Sequence, residues 1–388
     1  MTTVAFLLSK DPVLQQHAGD VAVSRVVMRL AAEIFDVSII CLSAETGADT
    51  VDLVPGGLPL TRVWKPPISR RRLLAGALRT RRSLVHVRFD TGALVDAIER
   101  CDADVFVSAH SYMAESFLRS AHFGERQLVI DTHVSAALVW RASRGVLGRV
   151  EEPRLLRDEL RVALAADRVA SYDVPAAEYY RAKGVRDVRF LEVTLPPAEQ
   201  IDVSATPRRL VFMGNRDWAP NQEGFLHALR LWPRIAAGIA GAELCVVGAK
   251  KPGATDPDHP DGVRDLGYVD DLQAFLRTCR AMIAPIRTGG GVRVKLLDAI
   301  RMGMPVVATS PAIGSLNTTF DMTPFDDDES FIAECRRLLT DRDAGVRAGD
   351  QLFEINRQIW EQRQPHRAVE ALLRGQDAPT TEEAHDIA

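Results

Sequence analysis

Ala284-Pro-Ile-Arg-Thr-Gly-Gly-Gly-Val-Arg-Val-Lys-Leu-Leu-Asp298 reads as the end of a strand, a glycine turn and the start of a helix. The apolar run ends at Ile286, three glycines follow, and helical spacing begins near Val292. Glycines adopt positive φ and let a ligand approach the backbone closely. A helix start presents unpaired N–H groups and a partial positive charge. Gly289, Gly290, Gly291, Val292, Arg293 and Lys295 together make an anion cradle suited to a diphosphate. Gly291, Lys295 and Asp298 are spaced i, i+4, i+7 and share one helix face. A surface loop with a Lys295–Asp298 pair is the plainer alternative. Neither the dinucleotide fingerprint nor the P-loop has this spacing.

Working outward, the same alternation of short apolar runs and helical patterns fills the chain. Residues 210–213, 243–247, 263–266, 281–286 and 305–309 read as strands, and 221–235, 271–279 and 292–302 as helices. The first half opens with a strand at 4–9, a helix at 21–33 and a strand at 37–43, and continues with strands at 105–109, 128–131 and 188–192. Such βαβ order implies parallel sheets covered on both faces. The expected fold class is therefore α/β, with two doubly wound Rossmann-like domains facing a cleft. Residues 1–195 form the first domain, a proline-rich linker spans 196–207, and 208–345 form the second. Helices at 346–374 are expected to pack back on the first domain, ahead of a disordered polar tail at 375–388.

A second segment, Leu210-Val-Phe-Met-Gly-Asn-Arg-Asp-Trp-Ala-Pro-Asn-Gln-Glu-Gly224, places Gly214, Asn215 and Arg216 at another strand-to-helix turn. There Arg216 is a further candidate cation for phosphate, or else a solvated loop arginine. The blocks GNRDWAPNQEGF, CVVGAK, LGYVDDL and APIRTGGGVRVKLLDAIRMGMPVVATS, over about residues 208–315, resemble the group 1 (family 4) glycosyltransferases of GT-B fold. IDTHVS and ADRVASYD carry a looser likeness in the first half.

The resemblance implies metal-independent transfer from a nucleotide-diphosphate sugar with retention at the anomeric carbon. It gives Asp298 the place of the family's ribose-binding glutamate. It leaves glycine, at Gly290, where the family often has a glutamate facing the sugar. Arg216, Arg293 and Lys295 become the diphosphate cations, and Tyr268 and Val269 the neighbours of the nucleobase. In the first domain it points to Gly19 and to His110, with His133 as runner-up and Asp131 to orient a histidine or act as base. The acceptor is a sugar or a lipid-linked glycan, and no resident cofactor is expected.

Composition narrows the alternatives. With 46% hydrophobic and 26% charged residues the chain is globular, and its net charge of −4 excludes a globally basic nucleic-acid binder. Cys41, Cys101, Cys245, Cys279 and Cys335 are odd in number and widely spaced, arguing for buried thiols rather than disulfides or zinc. Asp102/Asp104 precede a strand, and Asp256/Asp258 lie in a polar loop, so neither pair is expected to hold a metal. No signal peptide or ~20-residue apolar span is evident. The expected location is the cytoplasm, with peripheral contact at a membrane's cytoplasmic face as an extension. That extension rests on residues 53–89, which hold nine basic residues and no acid. Arg70, Arg71, Arg72, Arg79, Arg81 and Arg82, interleaved with leucines, suit anionic lipid. A solvated basic face is the alternative reading of them. A nucleotide-sugar epimerase of the same fold, or a non-catalytic nucleotide- or membrane-binding protein, are the rival functions.

Overall fold

A computed structural model describes residues 1–14, 19–250, 253, 255–288 and 293–376. The chain divides into two units, Met1–Val193 with Gln364–Ala388, and Thr194–Arg363.

In the first unit, β1 (Thr3–Leu8), α1 (Gly19–Ala32) and β2 (Asp36–Ser43) form the opening βαβ. β3 (Gly47–Val51) and β4 (Leu58–Trp64) follow, then helices α2 (Arg70–Thr80), α3 (Leu84–Phe89) and α4 (Gly92–Glu99). β5 (Val105–Ala109) leads through a 3-10 turn to α5 (Ala114–Phe117). Next come β6 (Gln127–Thr132), α6 (Ala136–Ser143), α7 (Gly145–Ala165), β7 (Arg168–Ser171), α8 (Val174–Ala182) and β8 (Val188–Phe190). The strand order is β3-β4-β2-β1-β5-β6-β7-β8. Only β3 runs antiparallel, against β4. Burial on both faces explains the apolar runs at 4–8 in β1, 105–107 in β5 and 128–130 in β6. Strands β3 and β4 escaped the sequence reading because Pro59 and Arg62 interrupt an edge hairpin whose outer strand faces solvent.

The second unit has β9 (Arg209–Met213), α9 (Ala219–Ala236), β10 (Glu243–Val247), β11 (Val263–Gly267), α10 (Leu272–Leu276), β12 (Ala281–Ala284), α11 (Val294–Ile300) and β13 (Val306–Ala308). After them come α12 (Ser310–Ile313), α13 (Leu316–Phe320), α14 (Asp328–Thr340) and α15 (Arg342–Glu361). Its five strands, all parallel, run in the order β11-β10-β9-β12-β13. The order reverses direction between β9 and β12, so ligands are expected beyond the carboxyl ends of those two strands. In the first unit the same switch lies between β1 and β5.

Two features differ from the sequence reading of the domain ends. Residues 195–207 are not a free tether but part of the second unit. Asn356 Nδ2 donates to Leu195 O, Ile201 N to Met302 O, and the Arg280 guanidinium to Thr206 O. The prolines there fit irregular backbone whose polar groups are satisfied by neighbouring elements. At the other end, α15 stays in the second unit, while α16 (Gln364–Arg374) belongs to the first. There α16 packs on α1, and the Arg374 guanidinium lies over the Phe35 ring. The tail beyond Gln376 lies outside the described residues.

Phe212, Phe225, Trp232, Ile283 and Phe331 centre the second core. Trp232 is wholly buried, and its Nε1–H donates to Asp261 O at 2.8 Å. Trp232→Ala should cost about 3–5 kcal/mol through lost burial and the cavity left behind. The check is a urea midpoint shift at unchanged slope. A loss under ~1 kcal/mol would mean that the core closes over the gap.

Candidate functional site

At the carboxyl edge of the second sheet, close packing of backbone explains the glycines. Gly214 N donates to Val247 O at 2.9 Å, and Gly248 N to Gly267 O at 2.7 Å. Gly248 has φ +127°, and a Cβ there would sit 2.2 Å from Gly214 O. Only glycine lets the ends of β9 and β10 approach so closely.

Lys295, in the first turn of α11, reaches back to this edge. Its Nζ donates to Asn221 Oδ1 at 2.8 Å and to Met213 O at 3.2 Å. Asn221 Nδ2 in turn donates to Asn215 O at 2.9 Å. Burial, and next Arg293, push the Lys295 ammonium down to about 7. A cation held by neutral acceptors, with no anionic partner among the described residues, is suited to meeting a bound anion. Asn221 lies inside the GNRDWAPNQEGF block, but nothing in its spacing marked it as the residue that aims Lys295.

Gly289, Gly290, Gly291 and Val292 lie outside the described residues. The residues on either side of them are pinned. Before them, Thr288 Oγ1 donates to Glu223 Oε2 at 3.0 Å, and Arg287 pairs with Asp328 at 3.2 Å. After them, Arg293 Nη2 donates to Pro311 O at 2.6 Å. The helix starts at Val294 rather than Val292, with Arg293 at its N-cap. Asp298 is half-buried, and burial raises its carboxyl pKa against the opposing pull of Arg301, 3.1 Å away. Lys295 and Asp298 do not pair with each other; each has the partner just named. Tyr268, exposed, and Val269 follow β11 at the same edge.

Arg216 is placed differently from a solvent-facing phosphate cation. Its side chain is fully buried over the Phe225 ring, 4.5 Å from the centroid. It donates to both Asp265 oxygens, at 3.0 and 2.9 Å, and to Asp256 at 3.2 Å. Lys250 also pairs with Asp265. Burial raises the Asp265 pKa, but the Lys250 and Arg216 contacts outweigh it and hold the carboxyl low. Among the described residues, Asp256, His259 and Asp265 are the one group close enough to share a metal ion. Arg216 and Lys250 already neutralise both of its carboxylates, so this is an ion-pair cluster in its chemistry. Asp102 and Asp104, at the opposite end of the first sheet, pair with Arg126.

The first unit gathers His110, Asp131 and His133 at the carboxyl ends of β5 and β6. His133 Nε2 lies 2.9 Å from Asp131 Oδ2, with both side chains buried. The His110 ring stacks on Tyr112 (centroids 5.1 Å) and meets His133 edge-on at 4.8 Å. Tyr172, after β7, meets His133 from another side at 5.7 Å. Burial, reinforced by Asp131, raises the Tyr172 phenol well above its usual pKa. His110 has φ +78°, rare for a non-glycine residue, and its N–H donates to Asp131 O at 3.0 Å. Strain of this kind persists where surroundings impose it, often at functional sites. Tyr112 and Tyr172 carried no signal in the sequence beyond following strand ends. Gly19 opens α1 after β1.

The basic stretch splits in two. Arg70, Arg71, Arg72, Arg79 and Arg81 are exposed along or just after α2. Arg82 instead turns inward, pairing with Asp90 at 3.0 Å and Glu115 at 2.9 Å, and leaves the lipid-facing set. Burial pushes the Glu115 carboxyl up, but His86, 2.6 Å away, with Arg161 and Arg82, holds it low.

Residues 207–341 match the family of glycosyl transferases group 1. No match to a curated protein sequence was found. Among solved structures, a sucrose-phosphate synthase from Thermosynechococcus elongatus aligns at TM-score 0.70 and 15% identity, over 97% of this chain and 99% of the other. HepE of Anabaena, in complex with UDP and glucose, aligns at 0.61 and 15%, over 94% and 99%. WaaG, a glycosyltransferase involved in lipopolysaccharide biosynthesis, aligns at 0.60 and 16%, over 96% and 100%. At such identities the structures speak for the fold, and the matched segment, which holds the Lys295 edge, speaks for the chemistry. The chain is a GT-B fold glycosyltransferase related, through residues 207–341, to the glycosyl transferases group 1.

Proposed function

We propose that this enzyme moves a sugar from a nucleoside-diphosphate sugar to an acceptor, with retention and without a metal ion. The observation that carries the donor class is the Lys295 ammonium, held by Met213 O and Asn221 at the switch point of the second sheet. As the glycosidic bond breaks, negative charge grows on the diphosphate. A cation fixed in advance offsets that charge without reorganisation. Arg293, beside Lys295, adds to the same positive field. Retention follows from the resemblance to group 1. UDP in the HepE complex makes uridine nucleotides the first donors to try.

In the first unit, the buried Asp131–His133 pair and His110 lie at the carboxyl edge of the sheet. A histidine held by a carboxylate presents its other ring nitrogen to a sugar hydroxyl as donor or acceptor. The acceptor is proposed to be lipid-linked, because α2 displays Arg70, Arg71 and Arg72 beside the exposed Leu74 and Leu78. Among the described residues no helix is long and apolar enough to cross a membrane.

A thermal-shift panel of nucleoside diphosphates and their sugars tests the donor class, since ligand binding to the native state raises its stability. A shift with one nucleotide family, followed by turnover of its sugar, is the expected result. No shift across the panel would remove the donor assignment. Within that panel, Asp298→Asn should weaken a ribonucleoside diphosphate by about 1.5–3 kcal/mol if the carboxylate accepts from ribose hydroxyls. Its effect on the 2′,3′-dideoxy analogue should be much smaller. Equal losses for both would detach Asp298 from the ribose.

A further inference from the structure

Besides α2, the first unit exposes a second aliphatic surface. The α6–α7 hairpin leaves Val146 76% and Val150 60% exposed, with Leu138 and Leu147 about half exposed. This is not a loose tip. A Cβ on Gly148 would sit 2.0 Å from Trp140 O, so α7 rests directly on the backbone of α6. Arg144 N donates to Trp140 O, and Gly148 N to Arg144 O. A hairpin packed this tightly nonetheless turns its valines and leucines outward.

Charge around the hairpin's turn has one sign. Residues 136–150 contain Arg141, Arg144 and Arg149 and no acid. The nearest acids are spoken for: Glu151 is buried and accepts from Leu84 N, and Glu152 pairs with Arg141.

The hairpin and α2 belong to one surface. Arg157 of α7 donates to Arg81 O at the end of α2, and Ser83 N donates to Asp158 Oδ2 at 2.6 Å. Between them α3 is clamped, its Val85 packed with Ala137 and Leu155. Both elements also follow carboxyl ends of parallel strands, α2 after β4 and α6 after β6. That is the edge which holds His110 and His133.

We propose that the α6–α7 hairpin is an insertion wedge for an anionic lipid bilayer, acting with α2 as one docking surface. It rests on the reading of a membrane-side acceptor given above. Arginines meet the charged headgroups while Val146, Leu147 and Val150 enter the acyl boundary. A nucleic acid would leave those aliphatics in water. A second copy of the chain would set arginines against arginines.

Sedimentation of the full-length protein with vesicles tests this. Phosphatidylglycerol–phosphatidylcholine vesicles should bind it, and pure phosphatidylcholine vesicles should not. Binding through Arg70, Arg71 and Arg72 should weaken as salt rises. Val146→Glu with Val150→Glu should lower partitioning by about tenfold or more at every salt concentration, because it removes the apolar contact. Circular dichroism and nucleoside-diphosphate affinity of this variant should match the parent. A second variant, Val146→Ser with Val150→Ser, keeps the charge and should weaken binding in the same direction. Undiminished binding of both variants would overturn the wedge. Vesicle binding without sugar transfer would fault the acceptor or donor reading and leave the wedge standing.

Discussion

Lys295→Ala should weaken nucleoside-diphosphate binding by about 1.5–3 kcal/mol, roughly ten- to a hundredfold, through loss of a charge-assisted contact. The side chain is half-buried, and its only described polar partners are Met213 O and Asn221 Oδ1, so the fold should survive. Calorimetry checks it, and unchanged affinity would remove Lys295 from the site. The same lysine gives a pH signature. With the ammonium pKa pushed down to about 7, the free protein loses this charge above neutrality. A bound diphosphate group favours the charged form and raises the pKa in the complex. Affinity for a nucleotide sugar, whose own phosphates do not titrate in this range, should therefore be highest below pH 7. It should fall as pH rises above 7, with proton uptake on binding at pH 8. In the ligand-free protein the sign is opposite. Between pH 7 and ~10.4 the unfolded chain holds a proton that the folded one has released. This group's contribution to stability thus grows with rising pH across that window. Lys295→Ala should abolish the proton uptake and flatten the affinity profile.

What the sequence made legible follows from which features are local. Residues 105–109 and 243–247 were read to the residue as strands, because strands buried on both faces need continuous apolar runs. The strand and helix on either side of the glycine segment were legible because each is a contiguous local pattern; the glycines themselves lie outside the described residues. Lys295 could be named from the segment, but not the Asn221 contact that aims it, which joins residues 74 positions apart. Arg216 misled for the same reason. Its position after β9 suggested a phosphate ligand, yet Asp265 lies 49 residues away in sequence and claims the guanidinium. Arg82 looked like its neighbours in a run of arginines, and only Glu115 and Asp90, brought in by packing, turn it inward. The hairpin wedge left no trace, since Val146, Leu147 and Val150 have the spacing of an ordinary buried face. Exposure is a property of the packed unit rather than of the pattern.

Asp131→Asn should lower kcat about a hundredfold while leaving donor affinity nearly intact. Asp131 and His133 are both buried, with Oδ2 and Nε2 2.9 Å apart, so the carboxylate sets the tautomer and the orientation of the imidazole. It also supports His110 through its own carbonyl, but that contact belongs to the backbone and survives the substitution. Asparagine keeps the volume and a hydrogen-bonding oxygen while removing the negative charge beside His133. Proton transfer and hydrogen bonding by a positioned side chain contribute about 10²–10⁴-fold, and Asp131 acts one step removed from that. A purely structural role would lower Tm and weaken donor binding along with turnover. A positioning role should lower kcat alone, with Tm and donor KM as in the parent, because only the imidazole's orientation is lost. The measurement is kcat, donor KM and Tm for the parent and for Asp131→Asn, with His133→Ala as the reference. If Asp131→Asn lowers Tm and donor affinity along with kcat, Asp131 braces the strand ends and does not orient the histidine. If His133→Ala turns over at the parental rate, the pair has no part in transfer, and His110 alone remains at the carboxyl end of β5 to meet the sugar.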